Sequence, residues 1–285
     1  MTKVEAFAPA KINLALHVTG RRSDGYHLLD SLVCFANVGD HLTLTDAPGM
    51  SLGASGPFGA SVPPGPSNLV LRAAELMEAE AERLGVAVGG VSIQLEKHLP
   101  ISSGLGGGSA DAAAALRALS DLWGVAVPGV HRLAKELGAD VPVCLDPGAS
   151  WRMRGIGEEL TRLERMPQLN LLLVNPRVPV STAAVFGRME QRDNAPMPEP
   201  PEAPSRRELV EWLAWQRNDL EAPACSLAPE IGEVLGELRA QEGAMLARMS
   251  GSGASCFAIF EDNEARDRAA GVLREDWPEW WVAEG

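Results

Sequence analysis

Short stretches of alternating apolar and polar residues open the chain. Residues 3–8 and 12–18 read as two short strands broken at Pro9. Residues 32–36 and 41–45 read as further strands, the second with Leu42 and Leu44 set against polar neighbours. Residues 47–66 are dense in Gly, Pro and Ser and read as a loop. Ser67 or Asn68 then caps a helix running to about residue 84, with Val70, Ala73, Ala74, Met77, Ala81 and Leu84 near one face and Gly85 at its stop. Val91, Ile93 and Leu95 alternate with Ser92, Gln94 and Glu96, which predicts a strand leading through Pro100 into a glycine-dense loop. Residues 109–123 form an alanine-rich helical run closed by Gly124, and a shorter helix over 130–137 ends at Gly138.

An apolar run at 169–174 has strand length and opens a second domain in this reading. Residues 195–204 are proline-rich and read as a loop, while 206–215 and 229–240 read as helices. Residues 245–249 and 256–260 are strands about the turn Gly251-Ser252-Gly253, and a helix near 264–273 precedes a Trp-rich tail. No repeat of fixed period is present, and strands and helices mix without a regular βαβ rhythm. The expected class is therefore α+β, divided into residues 1–163 and 164–285.

Composition narrows the function. With 46% hydrophobic and 22% charged residues, the chain has the balance of a soluble globular protein. A net charge of −13 repels phosphate backbones, which argues against nucleic acid as a partner, although a local cluster of N–H groups can still hold a nucleotide. No uncharged apolar stretch reaches membrane-spanning length, and the N-terminal residues lack the pattern of a signal peptide. Cys34, Cys144, Cys225 and Cys256 form no C-x-x-C pair and read as reduced thiols of a cytoplasmic protein.

The sharpest chemical signal is Pro100-Ile101-Ser102-Ser103-Gly104-Leu105-Gly106-Gly107-Gly108-Ser109-Ala110-Asp111, between a predicted strand and a predicted helix. Glycines let backbone approach a ligand and gather N–H groups into one concavity, and the helix that follows adds its positive end. That construction holds phosphate. A Walker loop needs Lys after its last Gly, and Ser109-Ala110 stand there instead. A dinucleotide fingerprint fits Gly104 and Gly106, but its third position is Ser109 and the nearest acid at the required distance, Asp121, lies inside the helical run.

The same run resembles the phosphate-binding motif of the GHMP kinase superfamily. Pro9-Ala10-Lys11-Ile12-Asn13-Leu14 resembles the first motif of that superfamily, and Ser250-Gly251-Ser252-Gly253-Ala254-Ser255-Cys256 resembles its third, all in the expected order. Within it, Gly20-Arg21-Arg22-Ser23-Asp24-Gly25-Tyr26-His27, Gly138-Ala139-Asp140-Val141-Pro142 and the run from Asn175 to Thr182 followed by Phe186 are similar to the 4-diphosphocytidyl-2-C-methyl-D-erythritol kinases.

The resemblance implies a two-lobed fold with the active site in the cleft between lobes. It implies transfer of the γ-phosphoryl group of ATP to the tertiary 2-hydroxyl of a cytidine-diphosphate-linked methylerythritol, in the non-mevalonate route to isoprenoids. Lys11 and Asp140 are then the catalytic pair, with Asp140 accepting the hydroxyl proton and Lys11 keeping Asp140 ionised. Residues Pro100 to Ala110 bind ATP, with Asn68 and Lys97 beside its adenine or ribose. Asn13 and Thr182 touch the substrate, and Tyr26, His27 and Phe186 hold its cytosine. Tyr26 is the only tyrosine in the chain. Mg²⁺ arrives with ATP, near Ser109, since no cluster of acids and histidines has the spacing of a fixed site. Other readings are a mevalonate- or homoserine-type kinase, an NAD-binding oxidoreductase, and a catalytically silent protein of the same fold. The partners expected are small molecules alone, for a monomer or a homodimer.

Overall fold

The structure is a computed structural model that describes residues 2–124 and 129–285. The chain forms two compact units, each assembled from three segments: Met1–Ala10, Gly39–Ile101 and Gly106–Pro147 in the first, and Lys11–Val38, Ser102–Leu105 and Gly148–Gly285 in the second. This interleaved division differs from a single cut between 163 and 164. The reason is the length of the first two strands. Strand β1 (Lys3–Arg21) has 19 residues and β2 (His27–Ala47) has 21, and each gives one part to either unit. Pro9 and the polar residues after Ala36 therefore interrupt the apolar pattern without ending a strand. Pro9 is buried inside β1, which pairs with β2. A proline is tolerated where its missing N–H owes no ladder bond.

In the first unit, β4 (Gly90–Glu96) runs antiparallel to residues 41–47 of β2 and parallel to β3 (Ser51–Ser55). Val91, Ile93 and Leu95 point inward, as their alternation predicts. The stretch read as a loop thus hides one short strand, because Gly53 and the two flanking serines mask its pattern. Helices α1 (Leu69–Arg83), α2 (Gly107–Trp123) and α3 (Val130–Leu137) complete this unit. Ala112, Ala113, Ala114 and Ala115 are wholly buried. Side chains this small bring the axis of α2 close to its neighbours, and α1 and α2 pack along their length. Buried Glu80 of α1 ties the helices together, receiving two hydrogen bonds from Arg83 at 2.7 Å and one from Arg132 of α3 at 2.8 Å.

In the second unit, residues 29–33 of β2 pair with β5 (Ser150–Gly155), which pairs in turn with β6 (Glu159–Leu163). A separate antiparallel sheet has the order β10 (Trp281–Glu284), β7 (Asn170–Asn175), β9 (Cys256–Phe260), β8 (Ala244–Met249). Five helices belong to this unit among the described residues: α4 (Thr182–Arg188), α5 (Arg206–Ala214), α6 (Glu221–Leu227), α7 (Glu230–Ala240) and α8 (Asn263–Asp276). Leu172, Val174, Val234, Leu238, Phe260 and Leu273 lie in one core with Trp280 of the Trp-rich tail. Helix α6 escapes the sequence pattern because Pro223 sits within it, in the first turn, where no N–H is needed.

The proline-rich stretch is anchored rather than loose. Arg152 forks onto Asp30 with two bonds of 2.8 Å and donates to the Met197 carbonyl, while the Met197 N–H donates to Asp30 at 2.9 Å. Among the described residues, no helix is long and apolar enough to cross a membrane.

Ala112, Ala113, Ala114 and Ala115 follow one another around α2, and the face that Ala114 occupies is wholly buried. Ala114→Leu should destabilise the protein by roughly 1–3 kcal/mol through overpacking, read as a lower denaturant midpoint. An unchanged midpoint would mean that this face is less tightly filled than its burial indicates.

Candidate active site

The second unit gathers parts of all three glycine- and lysine-bearing motifs by hydrogen bonds. Ser250 stands at their meeting point. Its Oγ accepts the backbone N–H of Asn13 at 3.1 Å, and its hydroxyl donates to the Gly104 carbonyl at 3.0 Å. The Lys11 N–H donates to the Leu105 carbonyl and the Ser255 N–H to the Ser103 carbonyl, both at 2.9 Å. Gly104 is needed where it stands. Its φ is +78°, and a Cβ there would lie 2.4 Å from the Ser250 carbonyl oxygen. Asn13 is buried and donates from Nδ2 to Ser31 Oγ at 2.8 Å, and the Ser31 hydroxyl donates in turn to the Ala15 carbonyl at 2.7 Å. Lys11 is also buried.

The first unit carries the rest of the glycine run as the start of α2. Gly106 is the N-cap, in left-handed conformation with φ +63°, and has no side chain to cap the helix. No acidic residue lies in the first turn. The leading N–H groups thus keep the positive end of the helix uncompensated by a capping side chain, which suits a phosphate. The helix starts two residues before the predicted Ser109, because the glycines themselves take helical conformation.

Lys97, expected beside adenine or ribose, is held in a buried ionic cluster. Its side chain is 2% exposed, and its ammonium is held by Asp40 at 2.5 Å and Asp111 at 2.6 Å. It lies under the first turn of α2: a Cβ on Gly107 would come within 3.1 Å of Nζ. Asp40 also accepts the backbone N–H groups of His98 and Leu99 at 2.6 and 2.9 Å. Asp111 Oδ1 is buried without a hydrogen-bond partner. Burial pushes the Asp111 carboxyl up to about 8; Lys97 pulls against this and Asp40 adds to it. Held protonated, Asp111 leaves one lysine against one carboxylate beneath the glycine turn, so no net negative charge opposes an anion there.

Asn68 is likewise engaged in structure. It is the N-cap of α1, accepting the Val70 N–H at 2.8 Å and donating to the Pro63 carbonyl at 3.0 Å.

The aromatic group takes an arrangement that the sequence does not specify. His27 and Phe186 stack on one another, ring centroids 4.5 Å apart and 18° from parallel, and Tyr26 is 61% exposed. A clamp with Tyr26 and Phe186 on opposite faces of a base, and His27 at its edge, is therefore not formed in this structure: His27 occupies one face of Phe186. His27 Nε2 is buried and has no partner. Burial, then the nearby charges of Arg21 and Arg192, lower the His27 pKa, so the ring stays neutral. Thr182 Oγ1 shares a 2.8 Å hydrogen bond with Ser252 Oγ in the third motif. Asp140 lies half-buried in the turn after α3, in the first unit, whereas Lys11 belongs to the second.

Residues 68–148 match the GHMP kinases N terminal domain and residues 203–279 match the GHMP kinases C terminal domain. A 4-diphosphocytidyl-2-C-methyl-D-erythritol kinase of Cereibacter sphaeroides is 53% identical over 281 residues, covering 98% of this chain and 97% of its own. The protein belongs to this kinase family. A second member, from Ruegeria pomeroyi, is 52% identical over 99% of this chain and 98% of its own. A crystal structure of a 4-(cytidine 5'-diphospho)-2C-methyl-D-erythritol kinase superposes with a TM-score of 0.78 at 37% identity, covering 98% of both chains. A homoserine kinase from Cytophaga hutchinsonii, at 20% identity and TM-score 0.69 over 99% of this chain and 95% of its own, shares the fold. Family membership sets aside the oxidoreductase reading, as does an antiparallel second sheet in place of a doubly wound one.

Three contributors went unassigned in the sequence. Ser250 was inside a recognised motif, yet nothing in its spacing marked the hydroxyl as a bridge. Asp111, at the edge of the glycine run and between two alanines, gives only a weak signal, and Asp40, between Gly39 and His41, gives none.

The Asp111 carboxyl has a pH signature. Its folded pKa lies above the unfolded value, so the folded chain holds the extra proton. That contribution to stability is complete below about pH 4 and is lost as pH rises through about 8. Asp111→Asn is neutral throughout and should flatten the fall in denaturant midpoint between those limits. A variant as pH-sensitive as the parent would remove Asp111 as the cause.

Proposed function

We propose that this protein is an ATP-dependent kinase that phosphorylates the 2-hydroxyl of 4-diphosphocytidyl-2-C-methyl-D-erythritol. It acts in the cytoplasm as a monomer or homodimer, in the non-mevalonate route to isoprenoid precursors. The observation that carries this reading is the Ser250 junction, which ties Asn13, Gly104 and the third motif together in a chain similar, over nearly its whole length, to kinases of that name.

In this reading the N–H groups at the start of α2 receive the phosphates of ATP, and Mg²⁺ bound with ATP offsets the charge of its β- and γ-phosphates. Ser109 is the hydroxyl best suited to assist there. Asp140 takes the proton of the 2-hydroxyl as its oxygen bonds to the γ-phosphorus, and the bond from that phosphorus to the bridging oxygen of ADP breaks. Lys11 favours ionised Asp140 and offsets charge on the attacking oxygen. Asn13, fixed by Ser31 and Ser250, orients the acceptor. A neutral, unpartnered His27 Nε2 on the face of Phe186 fits the hydrogen-bonding edge of a pyrimidine better than it fits the compact substrate of a mevalonate- or homoserine-type kinase.

Asp140→Asn keeps the shape but cannot take the proton, and Lys11→Met keeps the stem but loses the charge. Each should lower kcat by roughly 10²–10⁴-fold, with ATP and substrate affinities changed much less. The double variant should lose less than the product of the two, because Lys11 acts partly through Asp140. Steady-state phosphoryl transfer to the cytidine-linked alcohol measures this. A folded Asp140→Asn enzyme near the parent rate would leave alignment as the whole mechanism.

Phe186→Ala removes the stacking partner of His27. In this reading the cytosine lies on the face of Phe186 that His27 leaves free; stacking on a base is worth about 1–3 kcal/mol, so KM for the cytidine substrate should rise while KM for ATP holds. Equal rises in both would make Phe186 a packing residue only.

A further inference from the structure

A cavity of about 510 Å³ in the second unit belongs to none of the motifs above. Its wall includes Gln216, Arg217, Asn218, Glu221, Arg239 and Arg248, together with the edge strand β8. The volume suits a small metabolite. Its charge is the reverse of the molecule's. Its lining residues include three arginines and one carboxylate, in a chain of net charge −13.

The three arginines are unequally neutralised. Arg217 pairs with Asp219 at 2.6 Å, and Arg239 reaches Glu221 only at 3.5 Å. Arg248 is 7% exposed and donates to the carbonyls of Leu14, Leu213 and Gln216 at 2.7, 3.0 and 2.8 Å. Among the described residues no carboxylate lies within ion-pair distance of it. Burial lowers its pKa to about 10, with Glu221 pulling against this and Arg239 adding to it. Glu221 is thus shared between Arg239 and the field at Arg248, and with Arg217 beside them the wall keeps a local excess of positive charge that an anion relieves. Planar guanidinium groups and side-chain amides suit phosphate oxygens in particular.

We propose that this cavity binds a small phosphorylated anion, a diphosphate or a diphosphate ester, and that the bound anion acts on the third motif from behind. The same residues that line the cavity hold that motif. Asn218 donates from Nδ2 to the carbonyls of Met249 and Gly251 at 2.8 and 2.9 Å, and Glu221 accepts the Met249 N–H at 2.9 Å. Arg248 also holds Leu14, next to Asn13. An anion that draws on Arg248 or Asn218 shifts the backbone to which Ser250 is bound, and the coupling is reciprocal.

The test is calorimetric titration of inorganic diphosphate into the full chain, with the nucleotide site first saturated by a non-hydrolysable ATP analogue and Mg²⁺. The parent should bind, and Arg239→Glu, an exposed position outside the kinase machinery, should bind about tenfold more weakly or not at all. Methyl diphosphate in a parallel arm separates a free anion from an ester as the preferred form. Equal binding by parent and Arg239→Glu, or none by either at millimolar concentration, overturns the site. The binding claim stands without the kinase reading; the coupling rests on it. In the kinase assay, diphosphate should change KM for the acceptor in the parent more than in Arg239→Glu. An equal change in both would place the anion at the phosphate loop instead and refute the coupling.

Discussion

One hydroxyl connects residues that are far apart in sequence. Ser250 Oγ accepts a hydrogen bond from the Asn13 backbone N–H and donates one to the Gly104 carbonyl, across separations of 237 and 146 positions. Both partners are main-chain groups that would otherwise be unsatisfied where they are buried, so the penalty for losing the hydroxyl falls on two segments at once. The tight approach of Gly104 to the Ser250 carbonyl makes the junction unforgiving of side chains as well. Asn13, the glycine turn and the third motif hold their places in the second unit because this junction holds.

Beneath the other half of the glycine run, the first unit solves a different problem. An ammonium is placed under the positive end of a helix, which is unfavourable by itself. Two carboxyl groups hold it there, and burial raises the pKa of one of them. The arrangement supports the turn with a buried ionic cluster while adding little net field to it. Removing one partner of such a cluster costs more than the cluster contributes as a whole, since an unmatched buried charge remains.

Much of this was legible along the chain. The helix capped by Asn68, the alternation of Val91, Ile93 and Leu95, and the apolar run at 169–174 announced themselves by period and punctuation. The glycine run, with Lys11 before it and Gly251 after it, was readable because phosphate binding demands unusual backbone, and unusual backbone demands glycine. What stayed hidden depends on contacts over long separations. The continuity of β1 through Pro9 is decided by its pairing with β2, and short β5 and β6, rich in charge, are strands because residues 29–33 offer an edge. The partners of Lys97 in its buried cluster include Asp40, 57 positions away, which no local pattern joins to it. The stacking of His27 on Phe186 joins positions 159 apart, and no local pattern encodes it.

The long strands also limit how the chain can be cut. A fragment spanning 68–148, the extent of the N-terminal family domain, contains β4 but neither of its neighbours, β2 and β3. Both edges of β4 would then be bare, with Val91, Ile93 and Leu95 still on one face, and bare edges of that kind invite pairing between molecules. Gene fragments that follow the family boundary would be expected to yield aggregates rather than a working half. During synthesis, the ribosome must release residues well past Glu96 before the strand begun at His27 has its full set of neighbours, because β5 is among them.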